Sequence, residues 1–339
     1  MNLEATAKAF ANVALVKYFG KRDIKLNLPD APSLSLTLSP LQTITKLTFK
    51  SDLNKDTVFI NGESAPEKFT KRITAFLDIA REIKQIDTRA VIDTSNSFPT
   101  AAGLASSASG FAALSVAVNS ALNLNLNKTA LSSLARRGSG SASRSIFGGF
   151  VKWNRGDNSD GTDSTAMQIK NSSHWDLRML VGVVQTTPKK TGSTDGMIHT
   201  KKTSPYYVNW TKSAFAAVKE AENAIIKKDF QKLGEITEHS ALSMHGAIMA
   251  SSPAILYLKG VTIDAYHLVQ NLRNRGIPAY FTCDAGPQPK ILCEAHYAHK
   301  IEAELSMLAG IKKVIHCKIG DDAEIIKPFG SSTIDKCMV

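Results

Sequence analysis

At 339 residues, 43% hydrophobic and 21% charged, with 12 Pro and 21 Gly, the chain has the makeup of a folded protein of about two domains, which excludes disorder and collagen. The 41 Lys and Arg against 30 Asp and Glu leave a net charge of +11. No apolar run is long enough for a membrane span, the first residues form no signal segment, and the cysteines (Cys283, Cys293, Cys317, Cys337) include no C-x-x-C pair, so a protein of the reducing cytoplasm is expected, with no membrane partner.

In chain order, alternating apolar and β-branched residues predict strands over 5–19 and 41–61, the second broken by a turn at Asp52 to Asp56. The spacing of Phe69, Ile73, Phe76, Leu77 and Ala80 predicts a helix over 67–84. A strand over 89–95 leads into the loop 96–110, which opens an apolar helix over 111–122, and a further helix runs from Asn127 to Arg137-Gly138. Strands follow over 148–153 and 177–185, the latter uniformly apolar as if buried on both faces. From 204 to 275 the pattern is helical, interrupted at Ser251-Ser252-Pro253; strands near 278–283 and 288–293, a helix over 296–309 and strands near 313–318 and 323–327 complete the chain. This order predicts an α+β protein in two halves, 1–185 and 186–339.

The loop Pro99-Thr-Ala-Ala-Gly-Leu-Ala-Ser-Ser-Ala-Ser-Gly110 lies between a strand and a helix, where small residues and N-terminal N–H groups form a phosphate cradle. It is neither a Walker A loop nor G-x-G-x-x-G, and a turn that lets a helix pack closely on a sheet has equal weight. Residues 101–150 carry Lys128, Arg136, Arg137 and Arg144 and no carboxylate, as a surface facing polyanions or a buried Ala/Ser helix would. The second Gly/Ser loop begins at Arg136-Arg137-Gly138, which read as a solvated helix end, whereas Arg144 is expected to enter a strand and need a partner. On an extended strand Lys17, Phe19 and Lys21 point one way, and taken alone they read as an amphipathic edge with snorkelling lysines. Asp284, before Ala285-Gly286-Pro287, is a turn former unless cations surround it. His296 and His299 share a helix face with no third ligand nearby in sequence and read as solvated. A nucleic-acid partner is disfavoured, because aromatics are 7% and the cations form no interleaved stripe.

Together, FANVALVKYFGKRDIKLNLPDAPSLSLTL, SFPTAAGLASSASG, RRGSGSASRSIFGGF, KKTGSTDGM and TCDAGPQPKIL resemble, in order and spacing, the diphosphomevalonate decarboxylases over about residues 8–293. That family belongs to the galactokinase, homoserine kinase, mevalonate kinase and phosphomevalonate kinase superfamily. The resemblance implies an N-terminal half like ribosomal protein S5 domain 2, a ferredoxin-like C-terminal half, and a site in the cleft between them. It implies ATP- and Mg²⁺-dependent 3-phosphorylation and decarboxylation of mevalonate 5-diphosphate to isopentenyl diphosphate, by a cytoplasmic homodimer. Asp284 would orient or deprotonate the substrate hydroxyl, Lys17 would keep it ionised and Arg144 would hold the C1 carboxylate. Asn12, Tyr18, Lys21, Ser139, Gly140, Ser141 and Ser193 match substrate-binding positions. Ala101, Gly103, Leu104, Ala105, Ser106, Ser107 and Ser109 would cradle ATP, with Lys189 or Lys190 neutralising charge and magnesium held through the phosphates and Ser106 or Ser107. Phe19, Ala31-Pro32, Ser143 and Gln288 depart from the family pattern without removing a charged catalytic group. A phosphomevalonate decarboxylase or mevalonate 3-kinase is the alternative, and a noncatalytic RNA-binding module a more remote one.

Overall fold

The computed structural model describes residues 3–98, 106–185 and 190–327. Strand β1 (Glu4–Val16) is buried along nearly its whole length, and its alanines admit helices on both faces. Strands β2 (Lys21–Asp23) and β3 (Leu28–Pro29) form a short ribbon on the way to β4 (Ser33–Lys50), which pairs antiparallel with β1. Strand β4 begins well before the expected residue 41, because Leu34, Leu36 and Leu38 alternate with the buried hydroxyls of Ser33, Ser35 and Thr37. Strands β5 (Thr57–Ile60) and β6 (Glu63–Ser64) precede α1 (Glu67–Lys84), whose face of Ile73, Phe76, Leu77 and Ala80 is buried as its spacing predicts. Strand β7 (Arg89–Asn96) then inserts between β4 and β5.

Helix α2 (Ser106–Ala121) starts five residues before the expected position and is buried on almost every side. Helix α3 (Lys128–Gly138) is capped by Asn127, whose side chain accepts from the Ala130 N–H. A 3-10 helix (Gly140–Ile146) carries Arg144, which therefore does not enter a strand. Strands β8 (Phe150–Trp153) and β9 (Ala166–Lys170) close this part, the second unanticipated.

Strand β10 (Leu177–Val183), helices α4 (Ser193–Thr203), α5 (Tyr207–Lys227), α6 (Phe230–Met249) and α7 (Gly260–Asn274), strands β11 (Ala279–Thr282) and β12 (Lys290–Glu294), helix α8 (Ala298–Ser306) and strands β13 (Lys313–Ile319) and β14 (Glu324–Ile326) complete the chain. One sheet runs in the order β11-β12-β10-β13-β4-β7-β5-β6, with β1 on β4 and β14 on β1. Strand β10 thus pairs with β12 and β13. The halves are continuous through β13 with β4 and β14 with β1. Helices α1, α2 and α3 cover one face of the N-terminal strands, and α5 and α6 cover the other.

A small apolar cluster of Phe19, Met197, Tyr207, Trp210, Met244 and Ile248 joins the halves beside β2. There the Tyr207 hydroxyl donates to Asp30 Oδ2 (2.6 Å) and Lys201 Nζ bridges to Asp30 Oδ1 (2.9 Å). A Cβ at Gly20 would lie 1.7 Å from the Tyr207 hydroxyl oxygen, and Gly20 adopts φ of +149°, so only glycine fits. No helix among the described residues is long and apolar enough to cross a membrane.

Candidate active site

A cleft of about 860 Å³ opens between the halves, and it gathers Asn12, Lys17, Tyr18, Lys21, Ser139, Gly140, Ser141, Arg144, Ser193 and Asp284. They arrive from different elements. Strand β1 ends at Val16, so Lys17 to Gly20 leave the sheet, and the strand alternation expected for Lys17 and Lys21 does not operate. Both ammonium groups still reach one cleft. Lys17 is 1% exposed rather than snorkelling: its Nζ donates to the Ala14 carbonyl and to Asp284 Oδ1, each at 2.7 Å, and its backbone N–H donates to Ser240 Oγ on α6 (3.0 Å).

Asp284 sits just beyond β11, where it also meets the buried Lys290 Nζ at 3.0 Å, a partner that the sequence did not reveal. Burial pushes the Asp284 carboxyl up, but the two ammonium groups outweigh it and hold it well below the usual carboxylate range. Cations do surround it, so it is more than a turn former. Burial likewise lowers Lys17, with Asp284 opposing and Lys290 adding to the shift.

Arg144 is 2% exposed and locked in place. Its Nη1 donates to Ser33 Oγ (2.7 Å), and its Nε and Nη2 donate to Asn12 Oδ1 (3.3 and 3.1 Å). Asn12 in turn donates to the Ser141 carbonyl (3.0 Å) and Ser145 Oγ (2.7 Å). The guanidinium lies over Tyr18 and Trp153 at 6.0 and 5.7 Å. Burial pushes its pKa down to about 10, which leaves it charged at neutral pH. Gly140 lets Tyr18 approach, since a Cβ there would be 2.5 Å from the Tyr18 oxygen. Arg72, Lys68, Arg137 and Asn27 also line the cleft, and the motif reading missed them as site residues. Arg72 Nη2 donates to the Gly138 carbonyl at 2.7 Å. Arg136 is no solvated helix end: it is 3% exposed and donates to the carbonyls of Leu26 and Gly161.

A second, largely apolar cavity of about 500 Å³ lies between β5, β7, α1 and the start of α2, lined among others by Ile60, Phe69, Ile73 and Ile92. Ser107 borders both cavities, and Ser106 borders the second. Ser107, Ser139 and Ser141 form a chain of hydroxyls with steps of 3.3 and 3.4 Å, linking the two Gly/Ser loops. The first turn of α2 holds no acid, so no carboxylate of that turn would repel an anion there. Ser109 faces inward, accepting from Thr43 Oγ1 at 2.6 Å, and lines neither cavity. Lys190 is exposed and away from the cleft lining, while Ala101, Gly103, Leu104, Ala105 and Lys189 lie outside the described residues. His299 groups with Glu302 and His316, in a cluster whose ligand atoms lie within 4.8 Å, rather than with His296, which lies against Tyr297. Among the described residues, Cys283, Cys293 and Cys317 are buried and in no disulfide.

Comparison with known proteins places this geometry. The family model of the diphosphomevalonate decarboxylase-like N-terminal domain matches residues 9–166, and that of the mevalonate 5-diphosphate decarboxylase C-terminal domain matches residues 179–327. A diphosphomevalonate decarboxylase of Candida albicans is 36% identical over 93% of this chain and 96% of its own. The crystal structure of mevalonate diphosphate decarboxylase from Staphylococcus aureus superposes with a TM-score of 0.91 at 41% identity, covering 96% of this chain and 98% of that one. A structure of MDDEF in complex with MVAPP, AMPPCP and magnesium has a TM-score of 0.90 at 39% identity, covering 96% and 99%.

Proposed function

The chain belongs to the diphosphomevalonate decarboxylase family, and from that premise we propose that it converts mevalonate 5-diphosphate and ATP, with Mg²⁺, into isopentenyl diphosphate, ADP, phosphate and CO₂. The observation that carries the reading is the cleft floor, where the Asp284 carboxylate is held by the buried Lys17 beside a locked Arg144.

In this reading the substrate diphosphate lies among Lys21, Tyr18, Ser139, Gly140, Ser141 and Ser193, with Arg72 adding charge. Nucleotide phosphates lie against Ser106 and Ser107, and the base enters the second cavity; the shared Ser107 wall brings the two substrates together. The serine hydroxyls and the acid-free helix start suit a magnesium-bearing polyphosphate. Magnesium supplies neutralisation of phosphate charge. A carboxylate held as low as Asp284 is a weak proton acceptor, so it chiefly orients the C3 hydroxyl and takes the proton only as the P–O bond forms. The donors of Arg144 that Asn12 and Ser33 leave open grip the C1 carboxylate. Departure of the 3-phosphate then draws the electrons of the breaking C1–C2 bond into the new alkene, and CO₂ leaves.

The proposal includes a cytoplasmic homodimer, and a division between β9 and β10 rather than at 186, supported by the pairing of β10 with β12 and β13. The test is an assay with ATP, Mg²⁺ and the diphosphate, following CO₂ and isopentenyl diphosphate. A stable 3-phosphate without CO₂, or turnover of the monophosphate alone, would assign the chain to one of the sister reactions.

A further inference from the structure

Lys290 lies on β12, opposite Thr282 and Val181, and its side chain is 4% exposed. Among the described residues its ion pair is with Asp284 Oδ2, at 3.0 Å, while Lys17 holds Oδ1 at 2.7 Å. One lysine already neutralises the partly exposed Asp284, so the second buried lysine leaves the trio with a positive charge in excess, and Arg144 adds another. A surplus buried ammonium is costly, and an apolar residue of the same length would serve packing better. Lys290 is absent from the cleft lining, so it is not placed to touch substrate directly.

We propose that Lys290 is a positioning residue: from behind the cleft it holds Asp284 by the oxygen that Lys17 leaves, so that the carboxylate faces the substrate in one orientation and stays ionised. This rests on the reading of the site given above. The charged and titratable groups that face Asp284 are Lys17 beyond β1, Lys290 on β12, Arg144 on the 3-10 helix, His245 on α6 and the adjoining Cys283. His245 does not compete as a cation near neutrality, because burial first, then the Lys17 charge, pushes it down to about 4. The directions agree with the geometry: both lysines lower the Asp284 carboxyl, so removing one raises it.

The experiment compares Lys290→Met with Lys290→Arg in the full chain, using ATP, Mg²⁺ and mevalonate 5-diphosphate. Lys290→Met is expected to lower kcat about tenfold or more with KM changed by less than about threefold, and to move the acid limb of kcat upward by about one pH unit. Lys290→Arg keeps the charge and is expected to leave the acid limb in place. Unchanged kcat and acid limb in Lys290→Met, or equal losses in both variants with the acid limb unmoved, overturn the proposal in favour of a packing role. Lys290→Gln is measured in the same way if Lys290→Met does not fold. A ¹³C-carboxyl titration of Asp284 in the substrate-free proteins reads the same shift without turnover. Wild-type protein that releases no CO₂ therefore overturns the function while leaving this test standing.

Discussion

At the scale of single residues, the side chains at the centre of the cleft differ in what they must hold still. Arg144 spends its Nε and one edge of its fork on Asn12 and Ser33, so its plane is set before substrate arrives. Arg144→Lys keeps a cation but loses that plane. Steady-state kinetics should then show kcat down about 10² with a much smaller change in KM, the mark of an interaction realised in the transition state. Lys21 sets a pH limit of another kind. Burial, and then the Arg72 guanidinium, push its pKa down to about 8, so its ammonium is present below that pH and lost above it. Substrate diphosphate needs the charged form, so KM for the diphosphate should rise as the pH passes above about 8, and Lys21→Met should remove that rise while starting from a higher KM at pH 7. Asp284, Lys17 and Arg144 were singled out through the resemblance that their motifs carry together; taken alone, Lys17 read as an amphipathic edge, Asp284 as a turn former and Arg144 as a strand residue. Lys290 was not, because its partner is brought to it by the pairing of β11 with β12, and nothing in PQPKIL marks a lysine as buried. Arg136 was misjudged for a related reason: its partners, the carbonyls of Leu26 and Gly161, are remote in sequence.

At the scale of elements, helix α2 does two tasks. Its body supplies much of the core under β1 and β4, and its first turn forms the wall shared by the two cavities. The two weighed readings of the acid-free window therefore both hold in part: the helix is buried, and Arg137 and Arg144 from the same window face the cleft. Ser107→Leu should raise KM for ATP by about tenfold or more, read in initial-rate kinetics at saturating diphosphate, because a branched side chain takes the place of a donor at an anion site. Helix α1 is anchored differently. Arg81 in its last turn meets the fully buried Asp56 through both carboxylate oxygens, at 2.5 and 3.1 Å, and Asp56 Oδ1 also accepts the Ala90 N–H of β7. Asp56→Asn would leave the buried Arg81 guanidinium with the half-exposed Asp78 in place of its buried counter-charge and should cost about 3 kcal/mol in urea unfolding. Periodicity recovered α1 and β7 almost to the residue. It missed the start of β4, whose inward positions alternate between leucine and buried hydroxyl, and the whole of α4, which ends at Thr203, before the helical pattern expected from 204, and whose Gly192 and Ser193 resemble a loop.

At the scale of the whole molecule, the halves meet through the cluster around Tyr207, Trp210 and Phe19, through the packing of α5 and α6 on the N-terminal strands, and through the continuous sheet. The overall α+β architecture was legible from element order, but this continuity was not, because strand partners remote in sequence leave no local trace. The last described strand, β14, lies on β1, the first, at Thr6 to Lys8, and β13 extends β4 at Leu38 and Ser39. A fragment of residues 1–172 should therefore aggregate when expressed alone and become soluble when residues 173–339 are co-expressed, as sedimentation of the two preparations would show. The same pairing sets a timetable for biosynthesis. Because Glu324–Ile326 must leave the ribosome before the outer edge of β1 is covered, the N-terminal half spends nearly the whole of translation with that edge open. Lys8, the single lysine of β1 and the partner of Glu324 in that register, is then the charge that keeps a nascent chain from pairing with its neighbour on the same message.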